Sequence, residues 1–453
     1  MKRTTALFLC ALMLLSALLV ACVGGGNNNG ETTAPQSSEQ TTTAATTEGT
    51  TVATTTGVTG PIPTPEKLVA EFEEKNVPLH NANLTPIRSW IDERTYIDLV
   101  MHGWPTICKG DGDTLYVVAS ARMGHVDPFS ATVFYSSHDG GKTWSEPKII
   151  NDTPIDDRDA GIVYMGNGKL LVTYFTIGAA SFMPGGSYEE QMTYHGNPAQ
   201  VSALRKKWSA MPAEKLEAGA WMIYSDDYGQ TWSEPVKSPV TNPHGPTVAN
   251  NGDLIICGGG DGGIIKVYRS KDDGRTWEYQ GTVQTPGRSE TGNVRFTFTE
   301  AYIVQLRDGD YLVGIRAGVI GAVNDSHTLR VFTSYSEDGR NFTKAAVVPD
   351  VVGAPPHFLE LSNGAVLLTY SYRGGIEDDE VLGCRGRVSY DGGKTWDEEI
   401  IITESKGDLG YPSTVELSDG TLITVCYQPV NYDVNAEPSV VYTRWRLVEP
   451  TEK

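Results

Sequence analysis

Two residues with complementary proton chemistry stand at equivalent places in a repeated segment of this chain. Glu300 begins Glu300-Ala-Tyr-Ile-Val-Gln-Leu-Arg-Asp-Gly, and Tyr411 begins Tyr411-Pro-Ser-Thr-Val-Glu-Leu-Ser-Asp-Gly. A tyrosine hydroxyl ordinarily titrates near 10 and is a poor nucleophile at neutral pH, so it attacks only when a base takes its proton. A carboxylate facing it supplies that base. Arg316 closes Gly314-Ile315-Arg316 at the end of a buried-looking strand. A cation is costly there unless it is paired or used, which favours an ion-pair or functional role. Together these residue types suit base-assisted attack by a tyrosine oxygen.

A repeat positions them. Asp/Asn-Gly turns place glycine at Gly112, Gly168, Gly252, Gly309, Gly364 and Gly420, in steps of 56, 84, 57, 55 and 56 residues. A period near 45 to 55 residues suits a four-stranded propeller blade. The expected fold is therefore all-β, a six-bladed β-propeller of four-stranded antiparallel blades. Nine residues before each glycine stand Gly103, Asp159, Pro243, Glu300, Pro355 and Tyr411. In a closed ring such positions converge on the axis, so Glu300 and Tyr411 face each other from alternate blades.

A second repeat marks the same unit. Ser-x-Asp-x-Gly-x-Thr-Trp occurs at Ser137–Trp144, Ser225–Trp232, Ser270–Trp277 and Ser389–Trp396, with a decayed copy over Tyr335–Phe342. Asp accepting backbone N–H bonds, Gly at positive φ and Trp packing between strands make this a structural turn, not a metal site. These motifs are similar to the Asp boxes of sialidase-type propellers, which the chain resembles from about Tyr96 to Arg446.

The resemblance extends to single residues. Sialidases present a Glu, an Arg about sixteen residues on, a further Arg before an Asp-box strand and a Tyr entering the last blade, and here Glu300, Arg316, Arg385 and Tyr411 stand in that order. It implies Tyr411 as nucleophile, Glu300 as its base, Arg316 and Arg385 as binders of a substrate carboxylate, and Asp127 as acid and base. Arg373 in Ser371-Tyr372-Arg373 competes with Arg385 for its place. A sialic acid carries its carboxylate on the anomeric carbon, so a carboxylate nucleophile would meet like charge where a neutral tyrosine does not. One departure stands out: His102-Gly103-Trp104-Pro105 has Gly103 where the family places its first clamping Arg. Arg122 or Arg158 is the candidate substitute. The function implied is retaining exo-sialidase activity on sialylated or other acidic glycans. Two alternatives stay open: a propeller glycosidase or lyase for another acidic sugar, using His102 or Asp159, and a glycan-binding protein without turnover.

The rest of the chain bounds where this happens. Lys2 and Arg3 precede an apolar run, and Leu19-Val20-Ala21-Cys22 has the form of a lipobox, so residues 1–22 are expected to be a lipoprotein signal with membrane attachment through lipidated Cys22. Residues 23–64 lack the apolar residues for a core and are expected to be a disordered tether. Over 65–95 a short helix is expected at Glu66–Lys75, with the propeller spanning 96–449. A net charge of −20, from 56 acidic and 36 basic residues, argues against nucleic acid as partner. No phosphate loop or metal-spaced His pair occurs, so neither cofactor nor metal is expected. Cys108, Cys257, Cys384 and Cys426 show no pairing pattern, and the chain is expected to be a monomer. The long step of 84 residues marks an insertion within Ile177–Ala220, carrying Tyr188, Tyr194, His195 and Trp208, which either stacks on sugar or covers a blade edge.

Overall fold

The computed structural model describes residues 67–259, 264–322, 326–373, 380–430, 433 and 436–449. The signal-like segment with Cys22, the polar stretch after it and residues 377–379 lie outside them.

Alternating, β-branched and aromatic runs closed by Asp/Asn-Gly turns form six four-stranded antiparallel sheets. Blade one comprises Met101–Lys109, Leu115–Arg122, Ala131–Ser137 and Lys148–Asn151; blade two, Asp156–Tyr164, Leu170–Ile177, Gly219–Ser225 and Val236–Lys237. Blade three comprises Thr247–Val248, Leu254–Gly259, Ile265–Ser270 and Glu278–Val283; blade four, Phe296–Gln305, Tyr311–Val319, Leu329–Ser336 and Ala346–Val352. Blade five runs through His357–Glu360, Val366–Tyr372, Gly383–Ser389 and Ile400–Ile401. The first strand of each is innermost. The core lies between neighbouring blades, as where Tyr116 and Val118 of blade one meet Ile162 and Val172 of blade two.

Blade six closes the ring with both ends of the chain. Gly410–Glu416, Leu422–Pro429 and Pro438–Val448 pair outward to a fourth strand, Val69–Pro78, running antiparallel from Val69 opposite Val448 to Pro78 opposite Val441. The helix expected over Glu66–Lys75 is therefore corrected to a strand. Leu68, Val69 and Phe72 fit one helical face, but a partner strand at the far end of the chain overrides that local pattern. Phe72 stacks on the buried Trp445 at 5.9 Å between centroids, and Glu73 bridges Arg444 at 3.2 Å and Arg446 at 3.1 Å. The propeller thus begins at Val69, not Tyr96, which lies in a separate hairpin of Ile87–Asp92 with Thr95–Leu99.

The Asp boxes are turns whose carboxylates are fully engaged. In the second, Asp227 accepts from Ser225 Oγ at 2.8 Å, Thr231 N–H at 2.8 Å and Thr231 Oγ1 at 2.6 Å. Those Thr231 bonds hold its carboxyl down to about 2. The decayed copy keeps the turn, with Asp338 accepting from Arg340 and Asn341 N–H at 2.8 Å each.

The insertion folds between the second and third strands of blade two as two helices, Glu189–His195 and Pro198–Ser209. The second starts at a capping box of Asn197 with Gln200 and buries Val201, Leu204 and Trp208. Gln200 donates to the Tyr96 carbonyl at 3.1 Å and Trp208 to the Pro154 carbonyl at 2.5 Å. Trp208 is a packing residue rather than a sugar platform; the side chains of Tyr194 and His195 lie outside the description.

Each site-bearing inner strand kinks at the axis. Asp159, Glu300 and Tyr411 have φ of 45°, 47° and 56°, left-handed values at non-glycine residues. Pairing skips there, between Arg158 and Gly161, Thr299 and Tyr302, and Gly410 and Ser413. Blade one skips between Gly103 and Thr106 and puts Trp104 at φ 53°. A bulge of this kind turns a side chain out of its alternating pattern, here toward the axis, at a cost of about 1–3 kcal/mol each.

Candidate active site

The bulges of blades four and six bring Glu300 to Tyr411. Arg316 Nη1 lies 2.6 Å and 2.7 Å from the two Glu300 oxygens and 3.4 Å from the Tyr411 hydroxyl. Arg316 reaches there because it pairs with Thr299, one residue before the bulge. Tyr411 is 3% exposed, and its N–H donates to Ser371 Oγ at 3.0 Å, tying blade six to blade five.

Electrostatics keep the tyrosine neutral and the glutamate ionised at rest. Burial pushes the Glu300 carboxyl up, but Arg316, then Arg373 and the Tyr411 hydroxyl, more than offset it, and it ends below its ordinary value. Burial, then Glu300 and Asp159, hold the Tyr411 hydroxyl well above 10. A phenol beside an ionised acceptor is the state from which a proton can pass to Glu300 as the oxygen attacks.

Of the two contenders for the further arginine, Arg373 is the one at the axis. Its guanidinium lies 5.4 Å from the Tyr411 ring centroid, and a Cβ at Gly410 would come within 2.6 Å of its Nη2, so this close approach needs glycine. Arg385 is corrected to a structural role. It pairs with Glu399 at 3.3 Å, donates to the Val381 and Thr403 carbonyls and lies 5.4 Å from the Tyr372 ring. Arg385 sits opposite Tyr370 on the third strand, one strand further from the axis than the chain end that carries Arg373. We expect Arg373→Met to lower kcat/KM by roughly 100-fold or more and Arg385→Met by less than about 3-fold. The reverse order in steady-state assays would return the clamp to Arg385.

Trp104 follows Gly103, where the first-blade arginine is missing, and packs beside Tyr411 and Tyr427. Its ring lies 6.4 Å from that of Tyr411 and 4.8 Å from that of Tyr427, and a Cβ at Gly103 would meet the Tyr427 ring at 3.4 Å. The guanidinium carbons of Arg122 and Arg158 lie 4.8 Å and 5.5 Å from the Trp104 centroid. Arg122 is fully buried, paired with Asp156 and bonded to the His125 carbonyl at 2.8 Å, so its guanidinium is engaged within blades one and two. Arg158 bonds Asp156 at 3.3 Å and the same carbonyl at 3.2 Å, yet lies close enough to Tyr411 and to Tyr188 of the insertion to feel both.

Asp127 is not placed to donate a proton. It is 0% exposed, and its carboxylate accepts from the N–H groups of Met123 at 3.0 Å, Gly124 at 3.1 Å and Phe129 at 2.6 Å. It organises the loop after blade one's second strand, as an aspartate before proline commonly does. His102 is also removed from the axis, fully buried against Tyr135 and 5.1 Å from the His80 ring. Asp159 does face the site, with Arg158 Nε 4.0 Å away; burial raises its carboxyl, Arg158 opposing and Glu300 adding.

His125, Asp408 and Tyr427 form a further cluster that residue types and spacing do not single out. His125 Nδ1 lies 2.7 Å from Asp408 Oδ2, and the Tyr427 hydroxyl donates to Asp408 Oδ1 at 2.9 Å. Burial raises the Asp408 carboxyl, but His125 and then Arg373 bring it below its usual value. The signals were Asp408 three residues before Tyr411 and His125 two before Asp127. Further down the channel His244 and His357 are fully buried, bonded to Thr106 at 3.3 Å and Ser413 at 3.2 Å; burial drops His244 to about 4. Among the described residues no group of His, Cys, Asp or Glu is arranged to hold a metal ion.

Fold and site together define a six-bladed Asp-box propeller whose axis brings together a tyrosine, a glutamate and arginines. The chain belongs to the BNR repeat-like domain family, which it matches over residues 191–424, more than half its length, with a BNR/Asp-box repeat at 135–146. It is 26% identical over 184 residues to a sialidase of Paraclostridium sordellii, a match covering 34% of this chain and 39% of that protein's length. Among solved structures, a protein of unknown function from Dyadobacter fermentans superposes with a TM-score of 0.61 at 20% identity, covering 84% of this chain and 99% of that one. The NanB sialidase of Streptococcus pneumoniae gives 0.53 at 14% identity, covering 77% and 68%. The intramolecular trans-sialidase of Ruminococcus gnavus gives 0.51 at 15%, covering 78% and 96%. At these identities the likeness establishes the propeller.

Proposed function

We propose that this chain is a retaining glycosidase that removes a terminal acidic sugar, a sialic or related ulosonic acid, from glycoconjugates. The observation that carries this is the joint contact of Arg316 with both Glu300 oxygens and, at 3.4 Å, with the Tyr411 hydroxyl. A neutral nucleophile with its own base, under fixed positive charge, suits an anomeric carbon that bears a carboxylate. Arg316 and Arg373 receive that carboxylate, with Arg158 at the blade-two side. Tyr411 attacks as its proton passes to Glu300 and the bond to the aglycone oxygen breaks; water then cleaves the glycosyl-tyrosine with retained configuration, and the tyrosyl oxygen takes its proton back from Glu300. The BNR family membership and the partial match to a sialidase support the same class. We place the enzyme outside the cytoplasm as a monomer, tethered through lipidated Cys22, where glycans are accessible.

A uronic acid is the second candidate substrate, favoured by Trp104 at the place of a first-blade clamp. A paired assay decides. Release of a fluorogenic aglycone from an α-sialoside, with none from the matching glucuronide, is the expected result; the opposite pattern transfers the function to the uronide. Binding of both without release would make the chain a lectin.

A further inference from the structure

We propose that His125, oriented by Asp408, is the acid and base of this site. The proposal rests on Tyr411 and Glu300 acting as nucleophile and base. A retaining mechanism needs one group that gives a proton to the leaving oxygen and later takes one from water. Asp127 is closed off by its turn, yet the loop that it organises carries His125 two residues earlier, with a side chain 34% exposed beside Trp104.

Four contacts fix this ring. Its Nδ1 is engaged by Asp408 at 2.7 Å, and Nε2 makes no hydrogen bond among the described residues. Asp408 is itself fixed by the Tyr427 hydroxyl at 2.9 Å, so the carboxylate sets both the orientation of the imidazole and which nitrogen faces outward. The ring lies edge-on to Trp104 at 5.0 Å, and Trp104 in turn lies 6.4 Å from Tyr411, so histidine and tyrosine flank one indole. The His125 carbonyl accepts from Arg122 at 2.8 Å and Arg158 at 3.2 Å, which pins the backbone under the ring. Asp408 is paired with the ring, Asp159 lies near enough to interact with it, and the two guanidiniums meet its backbone. Asp159, the competing acid, is only 4% exposed and lies against Arg158.

In the acid form that the first step uses, the imidazole carries a proton on each nitrogen. Tyr411 oxygen forms a bond to the anomeric carbon as its proton moves to Glu300; the bond to the aglycone oxygen breaks, its electron pair stays on that oxygen, and the Nε2 proton neutralises it. Water then attacks the same carbon and gives a proton to Nε2, while the tyrosyl oxygen leaves with its electron pair and recovers its proton from Glu300.

The test uses the full chain and two substrates of the sugar that it turns over, one with a phenolic aglycone and one linked to a second sugar. A phenol leaves without protonation and a sugar alcohol does not. For His125→Ala, kcat/KM on the sugar-linked substrate is expected to fall by roughly 1,000-fold and on the phenolic one by less than about 10-fold. Azide is expected to restore turnover on the phenolic substrate and to yield the glycosyl azide. The ratio of the two losses is independent of how much variant is folded. For Asp408, a positioning residue, Asp408→Asn is expected to show the same ratio in weaker form. Equal losses on both substrates without an azide product would overturn the assignment, as would finding the leaving-group effect in Asp159→Asn instead. Tyr411→Phe is assayed beside them: if it stays active, the nucleophile itself is wrong, whereas an inactive Tyr411→Phe with equal His125→Ala losses removes only His125.

Discussion

Tyr411→Phe is expected to lower kcat by at least about 1,000-fold, some 4 kcal/mol in the barrier, while leaving the fold intact. The substitution removes one oxygen and keeps the ring, whose neighbours Trp104 at 6.4 Å and Tyr427 at 6.2 Å lose no carbon contact. Glu300 retains both contacts to Arg316. Binding of the free acidic sugar, measured by titration calorimetry, should therefore change by less than about 5-fold, because the arginines that hold its carboxylate are untouched. Turnover within 10-fold of the unaltered protein would show that the tyrosine is a channel-lining phenol and that the bond is broken by another group.

Removing residues 67–78 is expected to lower the unfolding free energy by about 3–5 kcal/mol. The strand Val69–Pro78 covers one edge of blade six, and without it Trp445, 0% exposed, loses Phe72 and meets water. A large aromatic buries about 150–250 Å², so exposing about half of it at 25 cal/mol per Å² costs about 2–3 kcal/mol, before the loss of Phe72's own burial and of the Arg444 and Arg446 pairs with Glu73. The melting temperature should fall by roughly 5–10 °C, and the bared edge of Pro438–Val448 should promote association through unpaired backbone groups. Scanning calorimetry and light scattering on chains beginning at 67 and at 79 read both effects. An unchanged melting temperature would mean that the ring closes without this strand.

The architecture was legible because it repeats: each Asp box and each Asp/Asn-Gly turn is a local structure that needs no distant partner to be read. The register nine residues before each turn glycine also located the axis, since Asp159, Glu300 and Tyr411 all sit on left-handed bulges. What resisted reading depended on partners remote in sequence. Phe72 looked helical because its neighbour Trp445 lies at the other end of the chain. Arg373 and Arg385 are separated only by strand order within blade five, which sequence spacing does not encode. Asp127 and His125 share one loop, and which of them is closed by backbone N–H groups and which reaches out is decided by the turn's geometry. His125 drew no notice because its partner, Asp408, arrives from blade six.

Blade six is at once the clasp of the ring and the carrier of Tyr411. A pull on the chain ahead of residue 67 enters the domain at Val69 and loads its pairing with Val448 first. From there tension passes through Pro438–Val448 and Leu422–Pro429 to the strand that begins at Gly410, beside the tyrosine. The blade that takes up this strand is thus the one on which the proposed chemistry turns, so tension applied ahead of residue 67 is expected to slow catalysis before it opens any other blade.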